Sequence, residues 1–271
     1  MLGMSVIAIS SRENPHIKAA VRLRVSAAQR CALGTFFLEG FRLCADALAS
    51  GYVPEELYLT AAARAKYDTA PLEQSARQVF EITESVAQKL GDTQSPQGVF
   101  AICAAKPVQA PFACEWGCRR GGGGAPSFFV ALETLQDPGN LGAIARTAEA
   151  LGFSGLLCGS GCDIFHPKAL RASMGALLRL PVTRTGDLPS LLRSGSLPCY
   201  AAVPDRDARS VLSCDFTRGG IAVVGSEGHG LSREAIDACG HKITVPMPGR
   251  AESLNAAAAA TILMWEMVRK P

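Results

Sequence analysis

Val223-Val224-Gly225-Ser226-Glu227-Gly228-His229-Gly230 is an apolar run that opens into a loop with three glycines. Apolar residues ending in glycine read as a buried strand entering a tight turn, where backbone can approach a ligand closely. The same grammar extends both ways. Strands are expected at Phe128–Leu132, Gly155–Cys158, Pro181–Thr183, Tyr200–Val203, Ile221–Val224 and Lys242–Val245. Helices are expected over Leu141–Leu151, Pro167–Leu178, Ser232–Cys239 and Ser253–Arg269. Asp137-Pro138-Gly139-Asn140 forms the approach turn to the first of these, and Ser253 suits the N-cap of the last. Strands alternating with helices predict an α/β fold, a mainly parallel sheet with helices on both faces. Ligands of such sheets gather beyond the carboxyl ends of the strands, where residues 225–230 fall.

The part before it, residues 1–107, reads as a smaller α/β domain. It has helical periodicity at Ile17–Ala28 and Gly40–Ala49 and β-like runs at Glu56–Leu59, Val79–Ile82 and Val99–Ala104. Residues 108–126 contain Pro111, Gly117, the run Gly121–Gly124 and Pro126, the composition of a linker. The expected organisation is therefore 1–107, a linker at 108–126, and 127–271. No internal repeat is present.

A chain of 271 residues, 48% hydrophobic and 19% charged, can bury a substantial core. Its net charge of +3 creates no global field for nucleic acid. The first thirty residues are locally basic, with Arg12, Lys18, Arg22, Arg24 and Arg30 against Glu13. This is either a solvated helix face or a patch that meets phosphates. Val6–Ile9 is too short for a signal core or a membrane span, so a cytoplasmic protein with reduced thiols and no membrane partner is expected. Ten cysteines include the close pairs Cys114/Cys118 and Cys158/Cys162. The residues between them form no zinc-knuckle pattern, so these read as ordinary thiols with no metal.

Three segments could carry chemistry. In Asn140-Leu141-Gly142-Ala143-Ile144-Ala145-Arg146, Leu141, Ile144, Ala145, Ala148 and Leu151 share a helical face that turns Arg146 away. Arg146 is a surface arginine or a cation placed for phosphate near a helix start that Asn140 can cap. In the glycine loop, Glu227 is less ordinary than a turn requires, and His229 is read as a loop residue. The third segment is Val245-Pro246-Met247-Pro248-Gly249 followed by Ser253-Leu254-Asn255 and the run Ala256–Ala260. The alanines suit a close helix contact, which leaves Asn255 to be explained.

These segments, in this order, resemble the three signature motifs of the SpoU/TrmH-type RNA 2′-O-ribose methyltransferases. Asn14-Pro15 with Lys18, Phe37-Leu38-Glu39-Gly40-Phe41-Arg42 and Thr93-Gln94-Ser95-Pro96-Gln97-Gly98 resemble that family's substrate-binding domain. The resemblance covers the chain apart from the linker. Ala256–Ala260 departs conservatively, since much of the family has a Val or Ser there.

The resemblance implies a deep trefoil knot in the C-terminal domain, which physical rules alone would not suggest. It implies S-adenosylmethionine as cofactor, held by Gly225, Val245 and Leu254, with Met247, Gly249 and Ser253 nearby. The absence of an early G-x-G-x-x-G agrees, since it disfavours a dinucleotide-type site. It implies Arg146 as the key catalytic residue on a ribose 2′-OH, supported by Asn140, Glu227 and Asn255. It implies RNA contacts from Asn14, Lys18, Glu39 and Arg42, an rRNA or tRNA substrate, and a homodimer through the C-terminal domain. Leu254, Ala258, Trp265 and Val268 lie along one apolar side that fits either a dimer or a monomer core. The alternative is a catalytically inactive RNA-binding homologue.

Overall fold

The computed structural model describes residues 6–106, 126–161, 163–205 and 207–269. The linker expected at 108–126 lies outside the described residues except for Pro126, as do Cys114, Cys118 and Cys162. In chain order the elements begin with β1 (Val6–Ile9), α1 (Pro15–Val25), α2 (Ala27–Leu33), β2 (Thr35–Glu39), α3 (Phe41–Ala49) and β3 (Pro54–Leu59). Next come α4 (Ala61–Lys66), α5 (Ala70–Ser75), β4 (Gln78–Ile82), α6 (Glu84–Leu90) and β5 (Val99–Ala104). Then follow β6 (Phe128–Leu132), α7 (Pro138–Ala150), β7 (Gly155–Cys158), α8 (Pro167–Ser173), α9 (Ala176–Arg179), β8 (Val182–Arg184) and α10 (Leu188–Ser194). The chain closes with β9 (Cys199–Ala202), β10 (Arg209–Ser210), β11 (Gly220–Val224), α11 (Arg233–Ala238), β12 (His241–Thr244) and α12 (Ala256–Arg269). Two compact units result. One comprises Met1–Pro107 with Asp163–Arg179, the other Val108–Cys162 with Leu180–Pro271.

The first unit carries a five-stranded sheet in the order β1-β4-β3-β5-β2, with β5 antiparallel to both neighbours. Ile17, Ala20 and Leu23 of α1 pack with Phe37, Tyr58, Phe80 and Phe100. The helix expected to reach Ala28 stops at Val25, because the Ser26 side chain accepts from the Gln29 N–H and starts α2. The strand β2 is buried from Phe36 to Glu39, so no alternation betrays it.

The segment 163–179 is built into this unit. Arg30 Nε donates to Asp163 Oδ2 at 2.6 Å, and Arg30 Nη1 donates to the Leu23 and Arg24 carbonyls at 2.7 Å each. Phe165 stacks on Phe36 with centroids 4.5 Å apart. The single helix expected over 167–178 is two. Met174 at φ 50 and Gly175 at φ 82 both enter the left-handed region and end α8.

The second unit carries a seven-stranded sheet in the order β10-β12-β9-β11-β6-β7-β8, every pair parallel. From β6 the chain steps outward to β7 and β8, returns to β9, and later inserts β11 between β9 and β6. That reversal is the switch point where α/β sheets bind ligands. Strand β11 is buried throughout. Ala131, Leu157, Ile221 and Val223 cluster with Leu188, Leu191 and Leu192 of α10. Alternation turns Val130 and Ala222 to the other face, and α12 packs on α7, β11 and β6.

Both helices next to the glycine loop begin elsewhere than expected. Helix α7 starts at Pro138 with Asp137 as its cap, accepting from the Gly139 N–H at 2.9 Å, so Asn140 is buried inside the first turn. Proline needs no N–H donor at the first helical position, so the Asp-Pro pair sets this start. Helix α12 starts at Ala256, not Ser253, because Asn255 Oδ1 accepts from the Ala257 N–H at 2.9 Å and the Ala258 N–H at 3.3 Å. The core face of α12 is Ala256, Ala260, Leu263, Met264 and Met267. Leu254 precedes the helix, and it, Ile262 and Trp265 are exposed. Among the described residues no helix is long and apolar enough to cross a membrane.

Candidate active site

The glycine loop closes on itself. Ser226 and Gly230 exchange two backbone hydrogen bonds of 3.0 Å. A Cβ on Gly225 would sit 2.1 Å from the Gly230 carbonyl carbon, so only glycine lets the neck close. Glu227 stands in the turn and reaches the segment before α7. Its carboxylate accepts from Asn140 Nδ2 at 2.7 Å and from the Gln136 and Asp137 N–H groups at 3.3 Å.

Asn140 Oδ1 accepts in turn from Asn255 Nδ2 at 3.1 Å. The direction of this chain follows from its ends. Asn255 spends its oxygen on two helix N–H groups, so its amide nitrogen must face Asn140. Asn140 must then present its oxygen to Asn255 and its own nitrogen to the carboxylate. Burial disfavours the charge of Glu227, but hydrogen bonds from Asn140 and from the backbone of Glu227 itself, Gln136 and Asp137 prevail. They hold its pKa below the ordinary 4.5, so it is an anionic acceptor at neutral pH.

Glu227 also lines a cavity of about 600 Å³ at the carboxyl ends of β9, β11 and β12. Five of the six residues expected to hold a cofactor line it: Gly225, Val245, Met247, Ser253 and Leu254. Gly249 does not, and neither does Arg146. Arg146 is exposed on α7 and makes no hydrogen bond or ion pair among the described residues. It lies six residues beyond Asn140, about 9 Å along the axis and on another face. The structure thus brings together Asn140, Glu227 and Asn255 but leaves Arg146 apart.

Sequence reasoning missed Asp205 and Glu252, which add carboxylates to the cavity wall. Asp205 follows β9 at a strand carboxyl end, a position that could have marked it. It also missed Glu133, which accepts from the Ser232 N–H at 2.7 Å and from the Ser232 hydroxyl.

In the first unit, the expected RNA residues have mixed placements. Asn14 caps α1 by accepting from the His16 N–H at 2.9 Å. Lys18 pairs with Glu13 at 2.7 Å. Glu39 is buried and accepts from the Asp92 and Thr93 N–H groups at 2.9 and 3.3 Å. Gln97 Oε1 accepts from the Phe41 N–H at 3.0 Å, so the 37–42 and 93–98 motifs meet. Arg42 is exposed, without a partner among the described residues. Of the basic N-terminal stretch, Arg24 and Arg30 turn inward to carbonyls and leave Arg12, Lys18 and Arg22 outside.

Residues 127–265, which contain the whole Asn–Asn–Glu constellation, match the model of the SpoU rRNA Methylase family. The chain belongs to the SpoU rRNA methylase family. Its residues 14–101 match the MRM3-like substrate binding domain. This SpoU chain is 32% identical to an uncharacterized tRNA/rRNA methyltransferase of Synechocystis sp., over 99% of the chain and 96% of that protein. It is 27% identical to the 23S rRNA (guanosine(2553)-2′-O)-methyltransferase RlmP of Bacillus subtilis, over 96% and 98% of the two chains. Its fold is similar to the AdoMet-bound rRNA methyltransferase from Sinorhizobium meliloti, with a TM-score of 0.82, 28% identity, and 97% and 98% coverage.

Proposed function

We propose that the protein transfers a methyl group from S-adenosylmethionine to a ribose 2′-OH in structured RNA, rRNA or tRNA. The observation that carries this reading is the directed chain Asn255–Asn140–Glu227, which joins the three motifs at the wall of a ligand-sized cavity. The cavity fits the cofactor. Apolar Leu254, Leu263 and Met247 suit a nucleoside face, and Asp205, Glu227 and Glu252 suit a cation. Gly225, Val245, Met247, Ser253 and Leu254 would hold it, with Gly249 beyond Met247. When bound, S-adenosylmethionine supplies an electrophilic methyl group on a sulfonium.

The residues of the chain then orient the nucleophile. Glu227, held anionic, accepts hydrogen bonds and fixes the loop against α7. Arg146 carries a guanidinium, which is a poor base, and acts by positioning phosphate and ribose. Orientation of this kind can remove several kcal/mol of barrier, up to about 7–11 in ideal cases. Because Arg146 is outside the cavity wall, the reading has it supplied in trans: Arg146 of the partner subunit completes each site in a homodimer. The exposed apolar residues Leu254, Ile262 and Trp265 support an interface on the C-terminal domain. Lys18 and Arg42 would meet RNA phosphates, with Asn14 and Glu39 shaping the segments that present them. The trefoil knot in the C-terminal domain belongs to the same reading and rests on the family resemblance. The same reading puts the protein in the cytoplasm, in contact with its RNA.

The test is incubation with labelled S-adenosylmethionine and total RNA from a strain lacking the gene, followed by mapping of ribose methylation. Wild-type protein labels a ribose. Arg146→Ala loses transfer but binds S-adenosylhomocysteine, and mixing it with Asn140→Asp gives more activity than the two variants show separately. Label on protein, no label on RNA, or an active Arg146→Ala would refute the reading.

A further inference from the structure

Two carboxylates tie the loops of the second unit, and they cross. Glu227 leaves the glycine loop to bind the segment before α7. Glu133 leaves the end of β6 to bind Ser232, where the glycine loop becomes α11, accepting from the Ser232 N–H at 2.7 Å and from its hydroxyl. Ser232 Oγ also accepts from the Ala235 N–H at 3.1 Å as the cap of α11. The base of Glu133 is itself held: its N–H donates to the Val224 carbonyl at 3.1 Å. A Cβ on Gly159 would lie 2.4 Å from its carbonyl oxygen. Glu133 is half-buried and lies outside the cavity lining.

We infer that Glu133 is a positioning residue for methyl transfer, clasping the exit of the glycine loop so that Glu227 keeps its register on Asn140. The physical argument is leverage. The loop leaves β11 at Gly225 and closes on itself at Ser226 and Gly230, which makes it a rigid ring on a narrow neck. One clasp at Glu227 stops such a ring from lifting but lets it pivot. A second clasp, at Ser232 beyond the neck, removes the pivot. Both clasps arise from the one segment, residues 133–140, that also carries Asn140. A ligand that touches residues 225–231 therefore meets a wall whose two ends share one anchor.

The inference rests on the methyltransferase reading, so wild-type transfer to RNA is measured first, and its failure sinks that reading rather than this one. The informative variants are Glu133→Ala, which removes the clasp, and Glu133→Gln, whose amide can accept from the Ser232 N–H and donate to the spare lone pair of its hydroxyl. Glu133→Ala should weaken S-adenosylhomocysteine binding and lower kcat by about tenfold or more, the scale of a lost charged hydrogen bond. Affinity for RNA should stay unchanged. Glu133→Gln should recover most of both losses, because geometry rather than charge is the requirement. If Glu133→Ala does not fold, Ser232→Ala and Ser232→Thr report instead, the first losing cofactor affinity and the second retaining it. A purely structural role predicts a lower melting temperature with S-adenosylhomocysteine affinity and kcat unmoved. That result in either series overturns the inference.

Discussion

Asn140 is the residue at which the site's polarity is decided. It gives its nitrogen to Glu227 and its oxygen to Asn255, and neither neighbour can reverse its own role. Asn140→Asp keeps the size but substitutes an acceptor for the donor, setting a second carboxylate against Glu227. A buried charged hydrogen bond of this kind is worth about 1.5–3 kcal/mol, so transfer should fall by roughly ten- to a hundredfold. An Asn140→Asp enzyme with wild-type kcat would show that the amide chain is incidental. The same geometry sets an acid limit. Glu227 has its pKa lowered on folding, so its contribution is complete above the ordinary value of 4.5 and is lost as pH falls through the lower folded value. S-adenosylhomocysteine affinity should be level from neutral pH to about pH 5 and decline only below it. A decline already beginning near pH 6 would contradict this sign. These contacts were invisible in the sequence for a simple reason. The partners are separated by 87 and 115 positions, and only the parallel sheet brings them together. The resemblance named Asn140, Glu227 and Asn255, which the structure joins by hydrogen bonds, and Arg146, which it leaves apart. It could not show that Asn140 lies buried inside α7 or that Asn255, rather than Ser253, caps α12.

The central strands of the second sheet, β6, β7, β9 and β11, were the most legible elements, because burial makes each a nearly continuous apolar run. Phe128–Leu132 and Gly155–Cys158 stand where the pattern puts them, and others shift by a residue. The pattern failed at β1, which buries only Ile9, at the two-residue β10, and at β2, whose burial from Phe36 to Glu39 leaves no alternation. Helix α10 went unread although Asp187-Leu188-Pro189 signals its start, with Asp187 accepting from the Ser190 N–H at 2.9 Å. The glycine loop was legible as a loop, but the reason for Gly225 was not. That residue does not use a positive φ; it is forced by the approach of Gly230. Gly225→Ala must therefore open the neck, at about 1–3 kcal/mol for an overpacked site. The melting temperature should drop by several degrees and S-adenosylhomocysteine binding should be lost, whereas Gly228→Ala, with no protein atom within 4 Å of the added Cβ, should leave the melting temperature unchanged. Equal behaviour of the two variants would remove the steric account.

The chain is not divided as its order suggests. After β7 it leaves the second unit, contributes α8 and α9 to the first, and returns as β8. Nothing in periodicity announces this, because a helix packs by its apolar face whichever sheet receives it. The consequence is energetic. Arg30, with a side chain 3% exposed, is matched by Asp163, which is 133 residues away and belongs to the inserted segment. Removing one partner of a buried pair typically costs about 3–5 kcal/mol, because the other charge is left without compensation. Asp163→Ala should fall at the lower end of that range, since Arg30 keeps the carbonyls of Leu23 and Arg24. Arg30→Ala with Asp163→Ala should cost less than the two changes added, as expected for groups in direct contact. Urea unfolding of the full chain reads both quantities. Additive losses, or a loss under about 1 kcal/mol for Asp163→Ala, would mean that the pair is a surface-like bridge and that residues 163–179 are not integral to the first unit.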